Sequence, residues 1–301
     1  MNWLYLSWFG GRGLVSLPEV ILEAVDVEFA FPDGARALKG VSLQIYQSKK
    51  TAIIGPNGAG KTTLFQHFNG ILMPDGGKIR FDGRDIGYQH ASLLNLRKNV
   101  GLVFQDPDTQ LFAGNVLQEI SFGPLNLGLS KEEARSQAEQ VMAVLEIEGL
   151  KDKPTHFLSY GMKKRVALAA VLAMRPRVLI CDEPTAWLDS RQNQRIIDFF
   201  QKINDQGVTV VFSTHDVDLA YTWADYIYVM KEGAVIASGV PESIFQNEAL
   251  LKEAELNKPW LVEMGQALKR NGCLPGEIPL PRTKEELLGN LMDYGGMVNV
   301  Q

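Results

Sequence analysis

The run Gly55-Pro56-Asn57-Gly58-Ala59-Gly60-Lys61-Thr62 constrains this chain more than any other feature. It fills every fixed place of the pattern G-x-x-x-x-G-K-[ST] and lies between a short buried strand, Thr51 to Ile54, and a helix. Glycines let the backbone curl so that successive N–H groups and the helix N-terminus face phosphate oxygens. Lys61 neutralises the outer phosphates and the Thr62 hydroxyl ligates Mg²⁺. Residues Gly55, Pro56, Asn57, Gly58, Ala59, Gly60, Lys61 and Thr62, with the adjoining Thr63, are therefore candidates for binding a nucleoside triphosphate.

Apolar and acidic residues alternate from Ile21 to Phe29, and Val41, Leu43 and Ile45 repeat the period, as in half-buried antiparallel strands turned by Pro32, Asp33 and Gly34. Ile79 and Phe81 read as another, edge-like strand. A helical stretch follows: Ser130 opens a capping box with Glu133, and Ala134, Ala138, Val141, Met142 and Leu145 share one face. Val178 to Cys181 and Thr209 to Ser213 are buried strands, each leading into a helix, which is the alternation of a parallel sheet. Tyr226 to Met230 and Ala234 to Ser238 form a hairpin across Lys231, Glu232 and Gly233. After Phe245 the chain turns to helices broken by Pro and Gly, with a second capping box from Thr283 to Glu286.

Composition removes several classes. A net charge of -5 over 301 residues argues against a broad basic face that grips nucleic acid. Cys181 and Cys273 have neither disulfide-framework nor zinc spacing and read as reduced thiols. No apolar run reaches membrane-spanning length, so membrane work needs partner subunits. Met1 to Pro18 is apolar and aromatic but lacks a basic start and is broken at Gly10 and Gly11, unlike a signal peptide. It is either an irregular extension, the product of a start codon placed too far upstream, or a membrane or partner contact.

A phosphate-binding loop alone leaves kinases, GTPases, helicases and transport ATPases open. Asp182 and Glu183 end the apolar strand from Val178, and adjacent acids there need a cation or a chemical task to offset desolvation. Asp182 suits Mg²⁺, and Glu183 suits an attacking water as general base. Leu158-Ser159-Tyr160-Gly161-Met162 then opens an alanine-rich helix and resembles the signature of ATP-binding cassette proteins, usually written LSGGQ. The resemblance implies that Ser159 and Gly161, at the positive end of that helix, hold a second molecule's γ-phosphate.

The resemblance extends to single positions. Gln105 looks like the glutamine that senses Mg²⁺ and the attacking water, Asp189 matches the dimer-facing loop after Leu188, and His215 resembles the switch histidine on the γ-phosphate. Phe31 stands where an aromatic ring stacks on adenine. Tyr160 and Met162 depart from the signature, and Trp187 is bulky where the family has something small; Met162 cannot offer the nucleotide a polar side chain. Gln105 to Phe112 and Phe122 to Asn126 are similar to energy-coupling-factor importers, and most similar to ATP-binding subunits that import cobalt and nickel.

The resemblance implies an α/β P-loop ATP-binding cassette fold: a parallel sheet core, an antiparallel N-terminal flank, a helical signature insert and a small helical tail. Its divisions are residues 1–18 as extension, 19–246 as the nucleotide-binding domain and 247–301 as a small C-terminal domain. The expected function is ATP hydrolysis, with ATP and Mg, powering import of cobalt or nickel from the cytoplasmic face of the cell membrane. The expected partners are a second copy or a related ATPase, and integral membrane transport subunits; no nucleic acid and no direct contact with the transported substrate are expected. Biotin or riboflavin import stays open, since His67, His90, His156 and His215 have no cobalt or nickel ligand spacing. A soluble, non-transport cassette ATPase is the other alternative, though neither a coiled-coil insertion nor a second cassette is present.

Overall fold

The computed structural model describes residues 19–294. The expected extension over Met1 to Pro18 lies outside the described residues, as does the end of the tail beyond Tyr294.

Two sheets enclose the P-loop helix. The first is antiparallel, in the order β2-β1-β4-β5: β1 (Val20–Ala30), β2 (Arg36–Tyr46), β4 (Gly76–Phe81) and the two-residue β5 (Arg84–Asp85). The second runs β10-β9-β3-β8-β7-β6, from β3 (Lys50–Ile54), β6 (Val100–Val103), β7 (Val178–Cys181), β8 (Thr209–Thr214), β9 (Tyr226–Lys231) and β10 (Ala234–Gly239). In it only the β9–β10 hairpin is antiparallel. Every residue of β6, β7 and β8 is buried, because both faces of a parallel sheet are covered and the apolar runs need not alternate.

Helix α1 (Lys61–Phe68) follows β3 and buries Leu64, Phe65 and Phe68 in a cluster shared with Val27, Val41 and Ile79 of the antiparallel sheet. The strand expected at Ile79 and Phe81 is not at an edge. Two-residue β5 pairs with it on the far side from β1, and Arg80 bonds Glu23 on one neighbour and Asp85 on the other. So short a strand has no periodicity to reveal it.

The insert between β6 and β7 holds α3 (Val116–Asn126), α4 (Lys131–Val144) and α5 (Tyr160–Leu172), preceded by α2 (His90–Asn99) before β6. The Ser130–Glu133 box that starts α4 is complete. Beyond β7 come α6 (Ser190–Asp205), α7 (Val217–Trp223) after β8, α8 (Pro241–Phe245) after β10, and the tail helices α9 (Glu248–Glu253), α10 (Trp260–Arg270) and α11 (Lys284–Tyr294). Leu261, Val262, Leu280 and Leu287 join the same apolar cluster as Tyr221 and Phe245, so the tail packs onto the cassette's core. The second capping box is only half formed. Thr283 Oγ1 accepts from the Glu286 amide, but the Glu286 carboxylate turns to the Arg282 amide at 2.7 Å.

No helix among the described residues is long and apolar enough to cross a membrane.

Candidate active site

β3 and α1 set the first wall. At φ 148° Gly55 brings its backbone against β9, where a Cβ would stand 2.0 Å from the Met230 carbonyl oxygen, so no side chain fits. The loop then delivers Lys61 and Thr62 to the first turn of α1. Lys61 is buried, and its Nζ donates to the carbonyls of Gly55 at 2.7 Å and Pro56 at 3.0 Å. Burial pushes its pKa down, with Glu183 and Asp182 opposing.

β7 and β8 set the second wall. Asp182 accepts at 2.5 Å from Thr62 Oγ1 on one carboxylate oxygen and at 2.5 Å from Ser213 Oγ on the other. Ser213 Oγ also accepts from the Glu183 amide at 2.9 Å, so one hydroxyl at the end of β8 orients both acids. His215, just beyond β8, places Nδ1 2.9 Å from Glu183 Oε2.

These walls face a cavity of about 610 Å³. It is lined by Asn57 to Thr63 of the loop, by Gln105, Asp182, Glu183 and His215, and by Phe31 at one end. Phe31 is 40 % exposed and is held edge-on by Phe29 at 5.2 Å, which leaves a ring face for a planar group. The volume is in the range of small-molecule sites.

Three expected residues lie apart from this cavity. Ser159 caps α5 and accepts from the Met162 amide, and Gly161, which follows it, packs against Gln192; neither lines the cavity. Asp189 caps α6, accepting from the Gln192 amide and Nε2, each at 2.8 Å. Ser159, Gly161 and Asp189 therefore lie outside the cavity of their own chain.

Sequence reasoning gave no role to Ser213, to Asp216, Thr185 and Ala186 on the cavity wall, or to Asn193, whose buried Oδ1 has no partner. Ser213 could have been found from its place in Ser213-Thr214-His215, at the end of a strand beside the acidic one. Asn193 sits inside α6 with no local signal. Trp187, noted only for its bulk, stands on the rim with a left-handed backbone (φ 65°) and 83 % exposure.

The chemistry is that of holding a polyphosphate beside a buried carboxylate, and comparison with known proteins agrees. The model of the family described as ABC transporter matches residues 38–186. The energy-coupling factor transporter ATP-binding protein EcfA of Methanocaldococcus jannaschii is 42 % identical over 274 residues, 91 % of this chain and 98 % of that one. The cobalt import ATP-binding protein CbiO of Rhodobacter capsulatus is likewise 42 % identical over 274 residues, with the same 91 % and 98 % coverage. The solved structure of cbiO1 from Clostridium perfringens, part of the ABC transporter complex cbiONQ, aligns with TM-score 0.70 at 42 % identity, covering 83 % of this chain and 99 % of that one. Identity of this degree over nearly full-length relatives means that the chain belongs to the ABC transporter family, among its ATP-hydrolysing, ATP-binding proteins.

Proposed function

We propose that this chain is the ATPase of an energy-coupling-factor importer carrying cobalt or nickel ions, bound peripherally at the cytoplasmic face of the membrane beside integral membrane subunits. The observation that carries the mechanism is the convergence of Lys61, Thr62, Asp182, Glu183 and His215 on one cavity. The cargo assignment is supported by near-full-length similarity to a cobalt import ATP-binding protein and to EcfA, whose name gives no cargo.

In this reading Phe31 stacks on adenine, the loop amides and Lys61 hold the phosphates, and Glu183 accepts a proton from the attacking water. His215 holds Glu183 and meets the γ-phosphate, and Gln105 faces the water from the insert side. Thr62 and Asp182 fit Mg²⁺: they offer adjacent oxygen donors, a buried carboxylate beside a hydroxyl, as expected for an ion that keeps few protein ligands. Bound there, Mg²⁺ would neutralise charge building on the phosphates. Since Ser159 and Gly161 lie outside their own chain's cavity, a second copy or a related ATPase supplies them across a dimer interface that includes the Asp189 loop. The tail, expected over residues 247–301, is in this reading a small unit whose described part, up to Tyr294, packs on residues 19–246.

In this reading the cargo meets the integral membrane subunits and not this chain, and vitamin import is the second reading. Uptake of labelled cobalt, nickel, biotin and riboflavin in cells carrying either the native chain or Glu183→Gln separates the two. Loss of cobalt or nickel uptake alone supports the metal importer; loss of a vitamin with metal uptake intact replaces it.

A further inference from the structure

The turn that presents Glu183 is strained at both ends. Glu183 (φ 47°) and Trp187 (φ 65°) both sit in the left-handed region, which costs a non-glycine residue about 1–3 kcal/mol unless its surroundings hold it there. What holds it comes from another element. The carbonyls of Glu183, Pro184 and Ala186 converge on the ammonium of Lys164, which donates to them at 2.9, 3.4 and 2.8 Å. An ammonium has three protons, and all three are used.

Lys164 is 5 % exposed, and a cation that deep is retained only where dipoles and opposite charge offset its desolvation. Here the carbonyls do so, together with the carboxylates of Glu183 and Asp182; even so, burial pushes its pKa down to about 8. A surface lysine would have served solubility as well, so the location asks for a reason.

That reason lies in the helix. Lys164 stands about one turn into α5, whose N-cap is Ser159. Within the same turn Tyr160 Oη donates to the Gln105 carbonyl at 3.2 Å, and Gly161 approaches Gln192 so closely that a Cβ would lie 2.2 Å from its Oε1. The start of α5 thus touches the Gln105 loop, the Glu183 turn and the first turn of α6 in its own chain.

We infer that Lys164 is a positioning residue, fixing the backbone of the Glu183–Ala186 turn to α5 so that the Glu183 carboxylate is aimed into the cavity only when the signature helix is seated. The inference rests on the proposed roles of Glu183 as general base and of Ser159 and Gly161 as the phosphate-binding element of the partner's site. Through Lys164, a phosphate docked on α5 from the partner is felt at Glu183 of the same chain, linking the two sites of a dimer.

The test is steady-state ATPase kinetics and ATP-binding affinity of the full chain as Lys164→Met, Lys164→Gln and Glu183→Gln. Met keeps the length and loses every donor; Gln restores two N–H donors. The expected result is a kcat at least tenfold lower for Lys164→Met, an intermediate kcat for Lys164→Gln, and KM for ATP within twofold of the native value in both. Native kcat in Lys164→Met, or a loss confined to KM, overturns the inference. If Lys164→Met does not fold, Lys164→Gln decides: kcat lowered at least threefold at unchanged KM supports it, and native kcat overturns it. Retained turnover in Glu183→Gln would instead overturn the general-base reading itself, so the two failures are told apart.

Discussion

His215 Nδ1 and Glu183 Oε2 are 2.9 Å apart, the imidazole side chain 71 % exposed and the carboxylate 7 %. The buried acid is anchored from behind by its amide to Ser213, while the histidine reaches it from the open side of the cavity. Replacing His215 by Ala removes the front contact and leaves the anchor. The expected outcome is kcat lower by about 10²- to 10³-fold, in the range of a lost acid–base or oxyanion partner. Affinity for ATP should fall far less than kcat, because in the proposed binding mode Phe31, Lys61 and the loop amides are kept and only the γ-phosphate contact is lost; single-turnover hydrolysis beside equilibrium binding checks both.

Ser213 is one hydroxyl with two clients, donating to Asp182 and accepting from the Glu183 amide. In Ser213→Ala a buried carboxylate loses a donor and a buried amide its acceptor, each a cost of about 1–3 kcal/mol when left unmet. Asp182 would also be free to rotate away from Thr62. The variant should melt several degrees lower and need several-fold more Mg²⁺ for half-maximal ATPase activity at saturating ATP, whereas Ser213→Thr should keep both near native. Melting curves and a Mg²⁺ titration read the two effects separately.

The site was legible wherever spacing along the chain is itself the chemistry. A glycine loop closing on Lys61 and Thr62 must repeat the same local geometry, and Ser159 and Ser130 announce their helices by caps that lie within four residues. Partners far apart in sequence left no such trace. Lys164 is 19 residues from Glu183 and nothing local marks the contact; Ser213 is 31 from Asp182, and only its place at the end of the strand beside the acidic one points to the pairing. The Thr283 box shows the converse failure: the right residues at the right spacing, but a competing amide at Arg282 takes the carboxylate. β5 stayed hidden because two residues cannot display a period of two.

Lys164 gives stability and turnover opposite responses to alkali. Its pKa is near 8 in the folded chain against 10.5 for an ordinary lysine, so between those values the unfolded chain binds more protons. Its contribution to stability therefore rises as pH climbs through that window, because the desolvated charge is being removed. Over the same window the ammonium loses one of the three protons that hold the Glu183 turn. On the proposed positioning role, kcat should fall above about pH 8 while the urea midpoint, corrected for other groups by comparison with Lys164→Gln, does not. The alkaline limb at that pH should be missing from the Lys164→Gln profile.

Arg282 is the tail's grip on the cassette. Its Nε and Nη2 donate to the Tyr221 carbonyl at 3.1 and 2.8 Å, Nη2 also donates to the Ala224 carbonyl, and Glu242 lies 3.4 Å away. These are the carbonyls at the C-terminal end of α7, where a cation also meets the negative end of the helix dipole. At the other end of α7, the Trp260 amide donates to Asp218 at 2.8 Å, so the tail holds this helix by both ends, and its N-cap Asp216 directly follows His215. Arg282→Met keeps the aliphatic stem and loses the charge, leaving two carbonyls and Glu242 without their donor. The expected cost is about 2–3 kcal/mol, the range for hydrogen bonds to a charged group. Hydrogen exchange should show α11 and the last turn of α7 losing protection first, with β7 and β8 unchanged, because each of these strands is hydrogen-bonded to a parallel strand on both sides. Uniform loss of protection throughout would instead mean that tail and cassette unfold as one cooperative unit.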